Sequence, residues 1–223
     1  MANPEHIELI KGGVQAVTAW RQAHPETRLD LEKADLKNVS LAGMDLSGAR
    51  LHEAHLQGAN LVGASLQKAG LRGAQLQGAN LSSAHLQDAH MVRVNLQAAC
   101  LQEALLHRVH LHGAHLQAAN LQAAHLQQTY LLWAYLVGAN MAGAHLHGAQ
   151  LQWANLQHAN LQETDLQASN LEGMVLGNTV FQHTNLKAAQ GLDTCRHLAA
   201  SPLDAGTISL SGHLPGPFRQ GCG

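Results

Sequence analysis

A chain of 223 residues that is 46% hydrophobic, 13% charged and 3% aromatic, with most of the hydrophobic share in Leu and Ala, has length for one long domain or two short ones. Its formal net charge of −2 gives neither the global basic field of a nucleic-acid binder nor the strongly acidic one that would imitate nucleic acid. No run reaches the roughly 20 uninterrupted apolar residues of a membrane span, and the N-terminus lacks the basic, apolar and small-residue succession of a signal peptide, so a cytoplasmic setting is expected.

Residues 1–28 read as an α-helical cap. Asn3-Pro4 puts a capping side chain ahead of a proline at the first helical position. Ile7, Ile10, Val14, Val17 and Trp20 recur every three to four residues and form one apolar face. Gly12-Gly13 interrupts this face at a cost of about 2 kcal/mol relative to two alanines, which predicts a kink or two short helices. Pro25 closes the segment.

From Leu31 to Leu186 every fifth residue is Leu, except Met91, Met141 and Phe181, giving 32 consecutive positions without a slip. Two residues before each sits a small or modest side chain, usually Ala, in an unbroken Ala series from Ala49 to Ala89, with Val94, Val109, Thr129 and Thr164 as typical exceptions. The unit is Ala-polar-Leu-polar-polar. Five residues advance a helix by about 500°, which would scatter the leucines around the cylinder. In a flat strand an odd spacing would send every second Leu into water. A backbone that turns the same way after each five-residue side keeps them all inside, and four sides close a coil of 20 residues. Residues 29–190 then form a solenoid of about eight coils, roughly 38 Å long at the ordinary strand spacing. The first coil is where the apolar face of the N-terminal cap is expected to pack.

This unit resembles the motif of the pentapeptide-repeat proteins: Ser, Thr, Ala or Val, then Asp or Asn, then Leu or Phe, then Ser, Thr or Arg, then Gly. The likeness covers about 160 of the 223 residues. It implies an all-β solenoid, a right-handed quadrilateral parallel β-helix with short strands and tight corner turns. The chain departs from the motif by carrying Gln or His where Ser, Thr or Arg is commoner, which changes the outer surface and not the core. Some members of that family imitate B-form DNA in shape and charge, bind DNA gyrase and protect it from quinolones. That mechanism needs strongly acidic faces. Residues 29–190 carry 10 acidic and 8 basic side chains, too weak a field to compete with a duplex bearing one charge per about 1.7 Å. No loop insertion, a feature of some gyrase-protecting relatives, interrupts the register.

After Leu186 the period stops, and residues 191–223 read as an irregular C-terminal cap or linker, too short to be an independent domain. Its phrases Gly191-Leu192-Asp193-Thr194, Arg196-His197-Leu198 and Phe218-Arg219-Gln220-Gly221-Cys222-Gly223 resemble the junction of bacterial proteins in which a pentapeptide array precedes a TIR signalling domain. That resemblance implies either a scaffold upstream of an effector or a homologue that lacks the effector, since these 223 residues contain no TIR domain. Cys100, Cys195 and Cys222 are odd in number and lack paired spacing, so neither a disulfide framework nor a zinc knuckle is suggested.

Outward positions hold the candidate sites. His85, His125 and His145 share a row broken by Leu105, and His107, His110, His112 and His115 crowd one coil, but ligands stacked on adjacent coils point outward in parallel and do not converge on a metal. Gln57, Gln77, Gln97 and Gln117 form one row, and Asn60, Asn80, Asn120, Asn140 and Asn160 form another around Cys100. Both are expected to hydrogen-bond along the axis. Tyr130, Leu132, Trp133, Tyr135 and Trp153 all lie outside the inward register, with the tryptophans one coil apart. Contiguous exposed aromatics mark protein interfaces. No phosphate loop, nucleophile elbow, HExxH or CxxC occurs. The sequence therefore predicts a non-enzymatic structural or protein-interaction scaffold. It needs no metal or cofactor, engages a protein partner or itself as a homodimer at the aromatic cluster, and binds neither nucleic acid nor membrane.

Overall fold

A computed structural model describes residues 2–223. From Asp30 onward the backbone makes parallel bridges at a constant 20-residue offset: Asp30 with Arg50, Asp35 with His55, Ser40 with Asn60, Asp45 with Ser65, and so on to Asn170 with Gln190. Each coil therefore has four pairing positions. The Leu N–H donates to the next coil, as from Leu111 to the Tyr130 carbonyl at 2.8 Å, and a turn follows at once, with Ala114 N–H donating back to the Leu111 carbonyl at 3.0 Å. A five-residue side whose turn takes up four residues has one residue left to bridge. The short strands implied by resemblance are for this reason reduced to single bridges along nearly the whole coil.

The corner explains the fifth residue of the unit. It takes positive φ, +61° at Gly113 and +54° at Arg93, as a type II turn requires at its third residue. A non-glycine residue there costs about 1–2 kcal/mol. The residue before Leu explains itself likewise. An Asn or Asp at this position accepts from the N–H two residues on, as Asn120 does from Gln122 at 3.1 Å and Asp165 from Gln167 at 3.0 Å, an Asx turn that fixes the corner. Inside, the Leu-type positions and their Ala neighbours are buried in one continuous core. Thr129 and Thr164 sit in this dry interior because their hydroxyls donate to the carbonyls of Leu106 at 2.7 Å and Met141 at 2.9 Å.

The N-terminal segment forms two helices, α1 (Pro4–Lys11) and α2 (Gly13–Ala23). Asn3 caps α1 by accepting from Glu5 N–H at 2.9 Å, and Gly13 breaks the pair at φ +77°. Ile10 and Val17 are fully buried, while Ile7, Val14 and Trp20 are half-buried against the core. Two polar anchors were not visible in the sequence. His6 Nδ1 accepts from Asp30 N–H at 2.9 Å, and Arg21 donates to the Ser47 carbonyl at 2.6 Å.

The C-terminal segment is ordered where the sequence suggested irregular backbone. Strand β1 (Val175–Leu176) pairs in parallel with β2 (Arg196–His197), and Phe181 bridges Leu203. Coil pairing thus continues beyond Leu186 at offsets lengthened by one and then two residues, which destroys the five-residue signal without destroying the path. Gly191 permits the first step: at φ +74° a Cβ there would lie 2.6 Å from Glu172 Cα. Helices α3 (Ala205–Ser211) and α4 (Gly216–Cys222) then close the end. Phe218 is fully buried, edge-on to Phe181 with centroids 6.0 Å apart. The N–H groups that the last coil would leave unpaired are met by side chains: Thr179 by Ser201, His183 by Asp204, Thr184 by Thr207 and Leu186 by Ser211, at 3.0–3.1 Å. The three cysteines are free; burial pushes the Cys195 and Cys222 thiols up to about 12. No helix among the described residues is long and apolar enough to cross a membrane.

Candidate partner-binding face

The coil stacks every residue over the one 20 positions earlier, so outward side chains form columns. One face, built on Leu31, Leu51, Leu71 and their successors, collects the aromatic residues. Trp133 and Trp153 occupy corner positions at φ +59° and +61°, where glycine is the unstrained choice. Their indoles stack with centroids 5.4 Å apart and planes 10° apart, yet remain 59% and 42% exposed. Gly173 lies under Trp153 on the following coil, and a Cβ there would collide with the indole. Tyr130 stacks on His110 at 4.9 Å, and His110 on His90 at 5.1 Å. Around the corner Tyr135 stacks on His115 at 4.9 Å. Leu132 is half-buried beside Tyr130. The five residues thus meet as one patch across a corner, with Tyr130, Leu132, Trp133 and Trp153 on one side and Tyr135 on the other.

The histidines form stacks with ring centroids 4.9–6.0 Å apart rather than a convergent set. Among the described residues no cluster of His, Cys, Asp and Glu could hold a metal ion. The two amide rows behave differently from each other. Asn160 donates to Asn140 at 3.1 Å and Asn140 to Asn120 at 3.3 Å, an axial ladder. Asn80 instead accepts from the Ser82 hydroxyl at 2.7 Å, next to Cys100 Sγ. The expected Gln ladder does not form. Gln77 donates to Gln75 on its own coil at 2.9 Å, and the buried Oε1 atoms of Gln57, Gln77 and Gln117 have no partner.

Burial holds the imidazoles of His107, His110 and His197 below the ordinary histidine value, helped at His107 by His125 and at His110 by His90 and His112. The unfolded chain binds these protons first, so stability is complete above about pH 6.5 and falls as pH drops toward the folded-state values. The melting temperature is expected to decline between about pH 7 and 5, and a variant carrying His107→Gln, His110→Gln and His197→Gln to decline less. A melting temperature rising on acidification would contradict this assignment.

The charged residues are segregated. Along the aromatic face and its leading corner, Arg50, Lys68, Arg72, Arg93 and Arg108 stand against Glu53 and Asp88 between residues 48 and 113. The opposite face, built on Leu41, Leu61 and their successors, carries Glu103 and Glu163 and no Lys or Arg. Arg108 grips Asp88 through two bonds of 2.7 and 2.8 Å, which holds the carboxyl below its usual range, and Arg50 meets Glu32 at 3.2 Å. Lys68, Arg72 and Arg93 make no ion pair among the described residues. Net charge, averaged over four faces, had concealed this arrangement.

Eight copies of a family model described as pentapeptide repeats match the chain, together spanning residues 30–190. Among solved structures, HetL, a pentapeptide repeat protein involved in heterocyst differentiation regulation from the cyanobacterium Nostoc sp. strain PCC 7120, is 26% identical over 87% of this chain and 98% of its own, with a TM-score of 0.38. A trypsin-treated form of QnrB1, a plasmid-mediated fluoroquinolone resistance protein, is 20% identical over 68% of this chain and 77% of its own, with a TM-score of 0.50. That likeness concerns the coil alone. No curated protein matches the chain.

Proposed function

Because the chain belongs to the pentapeptide-repeat family, whose coil is a right-handed β-helix, we propose that it is a non-enzymatic scaffold that presents Tyr130, Leu132, Trp133, Tyr135 and Trp153 to a protein partner. One observation carries this reading: two tryptophans one coil apart lie stacked on each other and still 59% and 42% open to water. Large aromatic side chains left open to water side by side mark a surface that a partner covers. The depressions beside the patch are shallow, the one lined by Arg108, His112, Tyr130 and Leu132 having a volume of about 460 Å³, and none brings a nucleophile and a base together. The likeness of the C-terminal phrases to a TIR-protein junction makes a signalling or defence protein the setting we assign to such a scaffold. The gyrase-binding alternative is disfavoured further, because the face with the richest surface chemistry is basic where a DNA imitation must be acidic.

The double variant W133A/W153A tests the site. Neither indole enters the core, so the circular dichroism spectrum should be unchanged, while association through the patch should weaken by about 30-fold for each tryptophan that acts as an interface hot spot. A wild type and variant indistinguishable in light-scattering mass and in the proteins cross-linked to them would discard the patch.

A further inference from the structure

Three depressions adjoin on the aromatic face and its corners. The first is lined by Arg50, Lys68, His90, His110 and Asp88, whose carboxylate is taken up by Arg108, the second by Arg108, His112, Tyr130 and Leu132, the third by Arg93, His112, Trp133 and Tyr135. The second and third share His112, and His110 of the first stacks on both His112 and Tyr130. The first leads into the second along the coil axis and the third lies beside the second across the corner, so together they make one shallow groove, cationic toward the N-terminal end and aromatic toward the C-terminal end. From the coil of Lys68 and Arg72 to that of Trp153 is four coil steps, about 19 Å, the reach of about six extended residues.

We infer that this groove binds an extended acidic segment of a partner protein, with carboxylates against Lys68, Arg72 and Arg93 and an apolar or aromatic side chain anchored between Leu132 and Trp133. The inference rests on the aromatic patch being the partner site and adds the chemistry of what it takes. Charge complementarity fixes the sign of the occupant, since the three cations make no ion pair among the described residues. Ring geometry favours protein over single-stranded nucleic acid. Stacked one coil apart, His90, His110 and Tyr130, and likewise Trp133 and Trp153, cover one another's faces and turn their edges outward. Base stacking needs open ring faces, whereas ring edges, the tyrosine hydroxyls and the indole N–H groups suit side chains and a peptide backbone.

A random-peptide display library panned on the intact chain, with oligothymidylate as a second probe, decides the matter. Recovered peptides should be enriched in Asp and Glu next to Phe, Leu or Trp. The triple variant Lys68→Gln, Arg72→Gln, Arg93→Gln should bind them about tenfold more weakly at low salt, and this difference should shrink at high salt. W133A/W153A should abolish the apolar preference and keep the acidic one. Neutral or basic peptides, or oligothymidylate binding more tightly than the best peptide, would overturn the inference. Binding lost in the tryptophan variant and untouched in the triple variant would remove the acidic segment while leaving the aromatic site. Binding untouched in both would remove the two together.

Discussion

Replacing Leu111 with Asp is expected to abolish cooperative folding. Leu111 is fully buried near the middle of the array, with its N–H and carbonyl held by the bridge and the turn, so the new carboxyl cannot rotate into water without breaking both. It must ionise in a hydrocarbon interior or stay protonated without a partner, and either costs several kcal/mol. Domains of ordinary stability have about 5–15 kcal/mol in total. In a solenoid each coil is stabilised by its neighbours, so a break at the centre weakens the interfaces on both sides. Leu111→Ala is the graded version, expected to cost about 2–5 kcal/mol. Ala118→Asp, exposed on the same coil at a left-handed corner that Asp tolerates, should stay within about 0.5 kcal/mol of the parent. Thermal melts followed by circular dichroism would rank the three, and a Leu111→Asp protein melting within a few degrees of the parent would be incompatible with the dry axial core.

Removing residues 191–223 should convert a discrete particle into an associating one. The last coil would lose the hydroxyl and carboxyl groups of Ser201, Asp204, Thr207 and Ser211 that now receive its N–H groups, and Phe181 would lose Phe218. A bare β edge with an apolar core behind it is a template for another chain. Light scattering should show mass growing with concentration, whereas the milder Phe218→Ala should cost about 3–5 kcal/mol and leave the edge covered. A truncated chain that stays monodisperse and melts like the parent would show that the segment is not a cap. Asp204 gives an independent check. Its hydrogen bonds with Thr207 and His183 hold its carboxyl down at about 2, so the stability it supplies is fully present above the usual carboxylate range and is lost progressively as pH falls from there through about 2.

The coil was legible because its core has a period that neither helix nor flat strand can serve, and 32 positions repeat it. The break between α1 and α2 was legible from Gly12-Gly13 and the Asn3-Pro4 cap for equally local reasons. What stayed hidden depended on contacts between coils or between segments. His6 and Arg21 look like ordinary surface residues of an amphipathic helix until the first coil supplies Asp30 and the Ser47 carbonyl. The C-terminal path escaped because offsets of 21 and 22 residues carry the same geometry as 20 but leave no repeating spacing. The aromatic residues were visible one by one. Their union with a basic groove needed the chain wrapped in twenties, since Lys68, Arg93 and Trp133 are remote in sequence and lie on one strip of surface.

The constant 20-residue offset also makes the molecule an indexing device. Inserting five residues between Trp133 and Trp153 would keep every leucine indoors, yet it would swing everything downstream by a quarter-turn and carry the second indole to a neighbouring wall. Inserting twenty would preserve every wall and only lengthen the interval between its features. Duplication by whole coils can therefore change spacing while leaving orientation untouched, so distance along the rod and direction around it can diversify separately.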